Sequence, residues 1–163
     1  MISLLRILLS LVFRLFMMFF AFIICAFVFV GLADIISGLT DDFNRNLPRY
    51  SDKVEYVEGG FDDFEEYKEF YYSKDKIAEF ENSKYFKKVG EDDIENISGF
   101  FEDFENGVLP YTDYKDKYKF DRSQIKTGDY YYIKTKYDNP YDNYDVYYVD
   151  TKKCIMYFIH SNL

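Results

Sequence analysis

The spacing of apolar positions changes along the chain, and each change predicts a different element. From Leu15 to Ala33, LFMMFFAFIICAFVFVGLA, 19 residues carry no charge and a helix there would be apolar on every face. Such a helix rises about 28 Å at about 1.5 Å per residue, close to the hydrocarbon thickness of a bilayer. The pattern therefore predicts a transmembrane helix or signal anchor over residues 15–36, behind a short cytoplasmic segment, residues 1–14. Cleavage as a signal peptide is the competing expectation, with Arg6 and Arg14 as the basic region and Gly31-Leu32-Ala33 as the small-residue site. The apolar run exceeds the about 7 to 15 residues usual for such a segment, which favours retention. A short tail bearing Arg6 and Arg14 is costly to translocate, which places the C-terminal domain outside the cytoplasm, although Arg45 and Arg49 nearly balance the count.

Residues 37–58 show no sustained helical period and read as a tether, with Gly38, Asn44, Asn46 and Pro48 in its first part. An acidic α+β domain is expected over 59–163. Phe61, Phe64, Tyr67 and Tyr71 recur at helical spacing behind Asp62, Asp63, Glu65 and Glu66, predicting a helix of about three turns. Ser73 is placed to cap a second helix from Lys74 to about Asn82 that buries Ile77 and Phe80. Ile94, Ile97, Phe101 and Phe104 define a third, opened by Glu91, Asp92 and Asp93 and closed by Gly107. Beyond Pro110 the period shortens to two. Tyr118 with Phe120, residues 130–137, Tyr144–Val149 and Cys154–His160 read as strands. The predicted fold is α+β: an N-terminal transmembrane helix, about three helices, and a four-stranded antiparallel meander.

Charge then narrows the partners. All 29 acidic residues lie at or beyond Asp34, against 18 of the 20 basic ones, so that portion carries 18 − 29 = −11. Phosphate backbones repel such a surface, which argues against nucleic acid; cations and basic polypeptides are compatible. Gly59-Gly60 lacks a following Lys-Ser/Thr, so no nucleotide loop is expected.

Reactive groups are sparse. Cys25 and Cys154 fall in different segments and are not expected to pair. His160, the single histidine, and Cys154 lie six residues apart on one predicted strand, about 20 Å apart and out of reach of each other. His160 reads as a sheet-edge or terminal packing residue. The stretch YDNPYDNYDVYY, 137–148, is a hairpin connection through Asp138-Asn139-Pro140 and Asp142-Asn143. As a calcium loop it fails, with Pro140, Asn143 and Val149 at positions that need other residues; an irregular site of Asp138, Asp142 and Asp145 is the weaker alternative. No catalytic residue, metal site or cofactor is assigned, and no enzyme activity is expected.

Tyrosine is the compositional anomaly: all 18 lie at or after Tyr50. Tyr130, Tyr132, Tyr144, Tyr147 and Tyr148, on adjacent predicted strands, are the candidate ligand-binding residues, as an aromatic face for sugars, peptides or a protein. The plainer alternative is that tyrosine packs its ring inward while its hydroxyl reaches water.

FFEDFENG (100–107), NYDVYYVDT (143–151) and YFIHSNL (157–163) resemble stretches of small, uncharacterised membrane-anchored proteins of Gram-positive bacteria, over roughly the last 75 residues. The resemblance implies an envelope location and no particular activity. The resulting expectation is a membrane-anchored, extracytoplasmic binding or interaction module, with a basic polypeptide as partner. A carboxylate-dependent envelope hydrolase and a structural accessory subunit of a membrane complex are the alternatives.

Overall fold

The computed structural model describes residues 16–20, 22–23, 42–59 and 64–162. The chain divides into two units, Met1–Arg45 and Asn46–Leu163. In the first, residues 16–20 and 22–23 are helical and Asp42–Arg45 form one further helical turn. Among the described residues no helix is long and apolar enough to cross a membrane. This corrects the expected membrane-spanning helix, and with it the signal anchor; the rest of the 15–36 span lies outside the described residues.

The second unit is built on a six-stranded antiparallel sheet among the described residues, not the four-stranded meander expected. Its strands are β1 (Asp52–Gly59), β2 (Phe64–Tyr71), β3 (Lys87–Lys88), β4 (Tyr130–Thr135), β5 (Asn143–Asp150) and β6 (Ile155–Asn162). Their order is β1-β2-β6-β5-β4-β3. The chain makes the β1–β2 pair, crosses through helix α1 (Lys74–Glu81) to the far edge at β3, and passes along helix α2 (Glu91–Asp103). It then returns through β4, β5 and β6 until β6 closes against β2.

Register fixes what each face presents. One row across the sheet reads Tyr67, Ile159, Val146, Ile133, and the next reads Glu69, Tyr157, Tyr148, Tyr131. These rows face α2, whose Ile97, Phe100 and Phe101 are buried against them with Phe104 and Val108. The intervening rows, Phe70–Met156–Val149–Tyr130 and Lys68–Phe158–Tyr147–Tyr132, point to the opposite face. There α1 contributes Ile77 and Phe80, with Phe80 edge-on to Phe86 at 4.8 Å between centroids.

Three sequence expectations are corrected by this arrangement. The helix expected from Phe61 to Tyr71 is strand β2 over its described part, and residues 61–63 lie outside the described residues. Phe64, Tyr67 and Tyr71 do fit a helical stripe, but Tyr67, Glu69 and Tyr71 equally share one strand face. The pattern hides this because Glu69 occupies a core position, 3% exposed. It is tolerated there because the hydroxyls of Tyr67 (2.8 Å) and Tyr71 both donate to it. Strand β1 occupies Asp52–Gly59, where the end of the tether was expected. Tyr118 and Phe120 belong to no strand; they are the inward side of a loop, Tyr118 lying 4.8 Å from the Tyr67 ring and Phe120 stacking at 4.0 Å on Phe101.

The expected helix over 91–104 is present, but Gly107 does not end it. The chain continues as a π-helical turn, Phe104–Val108, then a 3-10 turn, Leu109–Tyr111. The wider turn lets both Phe104 and Val108 point into the core.

Candidate binding surface

Helix α2 and the π-helical turn that continues it sort their carboxylates into two sets. At its start the Gly90 N–H donates to Asp93 Oδ2 at 2.9 Å, closing one of the open ends of the helix, and the Tyr131 hydroxyl donates to Asp93 Oδ1 at 2.8 Å. These two bonds, the backbone one first, hold the Asp93 carboxyl below its ordinary range. Further along, the hydroxyl of buried Tyr144 donates to Asp103 Oδ2 at 3.0 Å, and Tyr118 donates to Glu105 Oε1 at 3.1 Å. Glu105 also takes the Arg122 Nε at 2.8 Å. The flanks of α2 are thus tied to the sheet and its covering loop through tyrosine–carboxylate bonds.

The outward stripe is different. Glu91, Glu95 and Glu102 fall on one face by their spacing and are exposed. Glu102 reaches Arg122 Nη1 at 3.1 Å, whereas Glu91 and Glu95 form no ion pair among the described residues. Between these acids lies a shallow depression of about 610 Å³, lined by Ile94, Gly99 and Tyr141 together with the polar Asn96 and Ser98. The β4–β5 loop brings Tyr141 here, its N–H donating to Asn139 Oδ1 at 3.3 Å and its ring 5.0 Å from that of Phe100. Gly99 permits that approach, since a Cβ at this position would lie 3.1 Å from the Tyr141 hydroxyl oxygen.

The five tyrosines singled out from sequence are divided by the sheet. Tyr144 and Tyr148 are wholly buried on the α2 face. Tyr148 donates to the buried Asp129 carboxylate and lies 3.0 Å from the Gln124 carbonyl oxygen. Tyr130, Tyr132 and Tyr147 share the opposite face, where Tyr132 and Tyr147 stack at 5.9 Å and Tyr130 packs 6.5 Å from Phe80. They do not form one patch, because alternation sends even and odd positions of a strand to opposite sides.

Burial raises the hydroxyl pKa of ten tyrosines among the described residues: Tyr67, Tyr71, Tyr72, Tyr114, Tyr118, Tyr130, Tyr131, Tyr144, Tyr148 and Tyr157. For Tyr71 the leading cause is the bond to Glu69, with burial second. Tyr71, Tyr131 and Tyr157 are each pushed up to about 12.

His160 is not at a sheet edge. It sits on β6 between β2 and β5, its Nδ1 2.6 Å from Asp145 Oδ1 and its ring stacked at 4.5 Å on Phe64. The register Asp145↔His160 follows once the β5–β6 turn is placed at Thr151–Cys154, so the pairing was within reach of hairpin counting. Of the nucleophilic side chains nearby in sequence, Ser161 alternates to the other face. Cys154 lies in the preceding turn at φ 59°, with its thiol donating to the Thr151 carbonyl at 3.7 Å. Asp145 is thereby committed to the histidine, while Asp142 accepts from Asn139 Nδ2 at 2.5 Å in the loop. Among the described residues no group of three or more histidine, cysteine, aspartate or glutamate side chains is arranged to hold a metal ion.

No family, curated protein or solved structure matches this chain.

Proposed function

We propose that this protein is a binding module whose outer α2 face receives a cationic polypeptide segment. The observation that carries the reading is the contrast along one helix: Glu91 and Glu95 remain exposed and unpaired beside the Tyr141 ring, while Asp93, Asp103 and Glu105 are tied down. Exposed carboxylates flanking an aromatic and aliphatic floor suit lysine or arginine side chains, whose alkyl stems lie on Ile94 and Tyr141 as their heads reach the acids. The net charge of −9 adds long-range attraction for such a partner.

The test is calorimetric titration of the full chain with oligo-arginine and oligo-lysine peptides over a range of salt. Binding that weakens as salt rises, and falls by at least about tenfold in the triple variant Glu91→Gln, Glu95→Gln, Glu102→Gln, supports the reading. Affinity unchanged in that variant sinks it.

A further inference from the structure

A second groove adjoins the acidic surface and carries the opposite charge. It runs along the outer edge of β4, lined by Lys84, Tyr85, Lys87, Asn96 and residues 131–133, with a volume of about 390 Å³. It exists because β3 is only two residues long and pairs with β4 only at Tyr130 and Tyr131. The Lys136 N–H bonds to the Asn143 carbonyl at 3.2 Å, so even-numbered positions of β4 face β5 and the odd ones, Ile133 and Thr135, turn their backbone groups to the outer edge. Lys84 and Lys87 are exposed beside this edge.

Asn96 lines both surfaces, the lysine groove and the acidic depression. A two-fold axis near Asn96 would exchange the two, setting the Glu91/Glu95/Glu102 stripe of one copy against Lys84 and Lys87 of the other, twice over. That is the self-complementarity a closed isologous pair requires. A helix laid along β4 would also cover its outer edge, one of the ordinary ways in which such edges are protected.

We propose that the lysine groove at the β4 edge receives the acidic face of α2 from a second copy of this chain, forming a two-fold dimer through Asn96. The inference rests on the reading of the α2 face as a polypeptide-binding surface, and names the cationic partner that the molecule itself supplies. Dimerisation would occupy that face and set it in competition with any other cationic segment.

The experiment is the mass in solution of the full-length chain, by sedimentation velocity across a concentration series, for three variants beside the parent. These are Glu91→Lys with Glu95→Lys, Lys84→Glu with Lys87→Glu, and the four changes combined; thermal denaturation checks that each is folded. The parent is expected to reach the mass of two chains. Each two-site reversal sets like charges against each other and weakens association by at least about tenfold, and the four-site variant restores it because its charges again match. A parent that stays monomeric, or a dimer indifferent to the reversals, or a four-site variant no tighter than the two-site ones, overturns the dimer. If oligo-arginine still binds the parent in a salt-dependent way when any of these is found, only the dimer falls; if it does not bind, the reading of the α2 face falls with it.

Discussion

The two sets of carboxylates on α2 have the same chemistry and opposite fates. Asp93, Asp103 and Glu105 lie on the flanks of the helix, where tyrosine hydroxyls from the sheet and covering loop reach them at 2.8 to 3.1 Å. Glu91 and Glu95 are exposed, reached by none of these hydroxyls, and border the depression beside Tyr141. The first set spends its charge on holding the helix to the sheet, and the second leaves it at the surface. The difference also explains a composition rich in both tyrosine and acid: a tyrosine can bury its ring in the core and still deliver its hydroxyl to a carboxylate at the rim.

High pH breaks the tied set first and most severely. Ten tyrosines hold folded-state pKa values above the ordinary one of about 10, so the folded chain keeps protons that the unfolded chain releases. For groups shifted upward, the stabilisation is complete below the unfolded pKa and is lost as pH rises through and beyond it. Between its unfolded and its folded pKa, each such group removes at most about 1.4 kcal/mol per pH unit. The expected outcome is cooperative unfolding between about pH 10 and 12, with most tyrosinate absorbance appearing in that same transition. A chain whose tyrosines titrate smoothly near pH 10 while its circular dichroism stays native would contradict these assignments.

Next in size is Asp129→Ala. Asp129 is fully buried and accepts from Tyr148, from the Thr151 N–H at 3.0 Å and from Thr151 Oγ1 at 2.6 Å. Its removal strands the two Thr151 donors at the β5–β6 turn, leaves Tyr148 only the Gln124 carbonyl, and should cost about 2 to 3 kcal/mol in denaturant unfolding. Tyr144→Phe is the milder cut, made at the helix flank itself. The ring stays and the hydroxyl's bond to Asp103 is lost, with its contact to Ser161, for an expected cost of about 1 to 2 kcal/mol.

How much of this was legible in the sequence depends on where the side chains point. Helix α2 and strands β4 to β6 were readable because Ile97, Phe101, Val146 and Ile159 keep a clean apolar period. Strand β2 was not: Glu69 stands in its inward row, where the hydroxyls of Tyr67 and Tyr71, two residues to either side, make it acceptable. Strand β1 was missed because, as an edge strand, it alternates Val54 and Tyr56 with Lys53 and Glu55 and buries little. The Lys68 ammonium ties that edge inward, reaching Glu55 at 2.8 Å and also Glu66. Burial alone would lower the Lys68 pKa, but these two carboxylates outweigh it and hold it raised. The division among the acids of α2 was not legible: Glu91, Asp92 and Asp93 read together as the opening of the helix, and nothing local distinguishes Asp103 from Glu95. The distinction is made by Tyr131 and Tyr144, 38 and 41 residues away.

The smallest effects belong to the outward stripe, where two substitutions sharpen the contrast from opposite sides. Glu95→Gln breaks no contact in the fold and should change stability by less than about 0.5 kcal/mol, against the larger loss in Tyr144→Phe. Gly99→Ala tests the depression itself. A glycine within a helix costs about 0.5 to 1 kcal/mol relative to alanine, so the added methyl should stabilise by about that amount. It meets only the hydroxyl end of Tyr141, a half-exposed side chain on a loop, which can shift by the few tenths of an ångström required. The melting temperature should therefore rise while the Tyr141 ring is displaced across the acidic surface and binding of a cationic peptide changes with it. If Gly99→Ala instead destabilises the fold, Tyr141 is held as firmly as Tyr144 is, and the outward face belongs to the structural half of the helix after all.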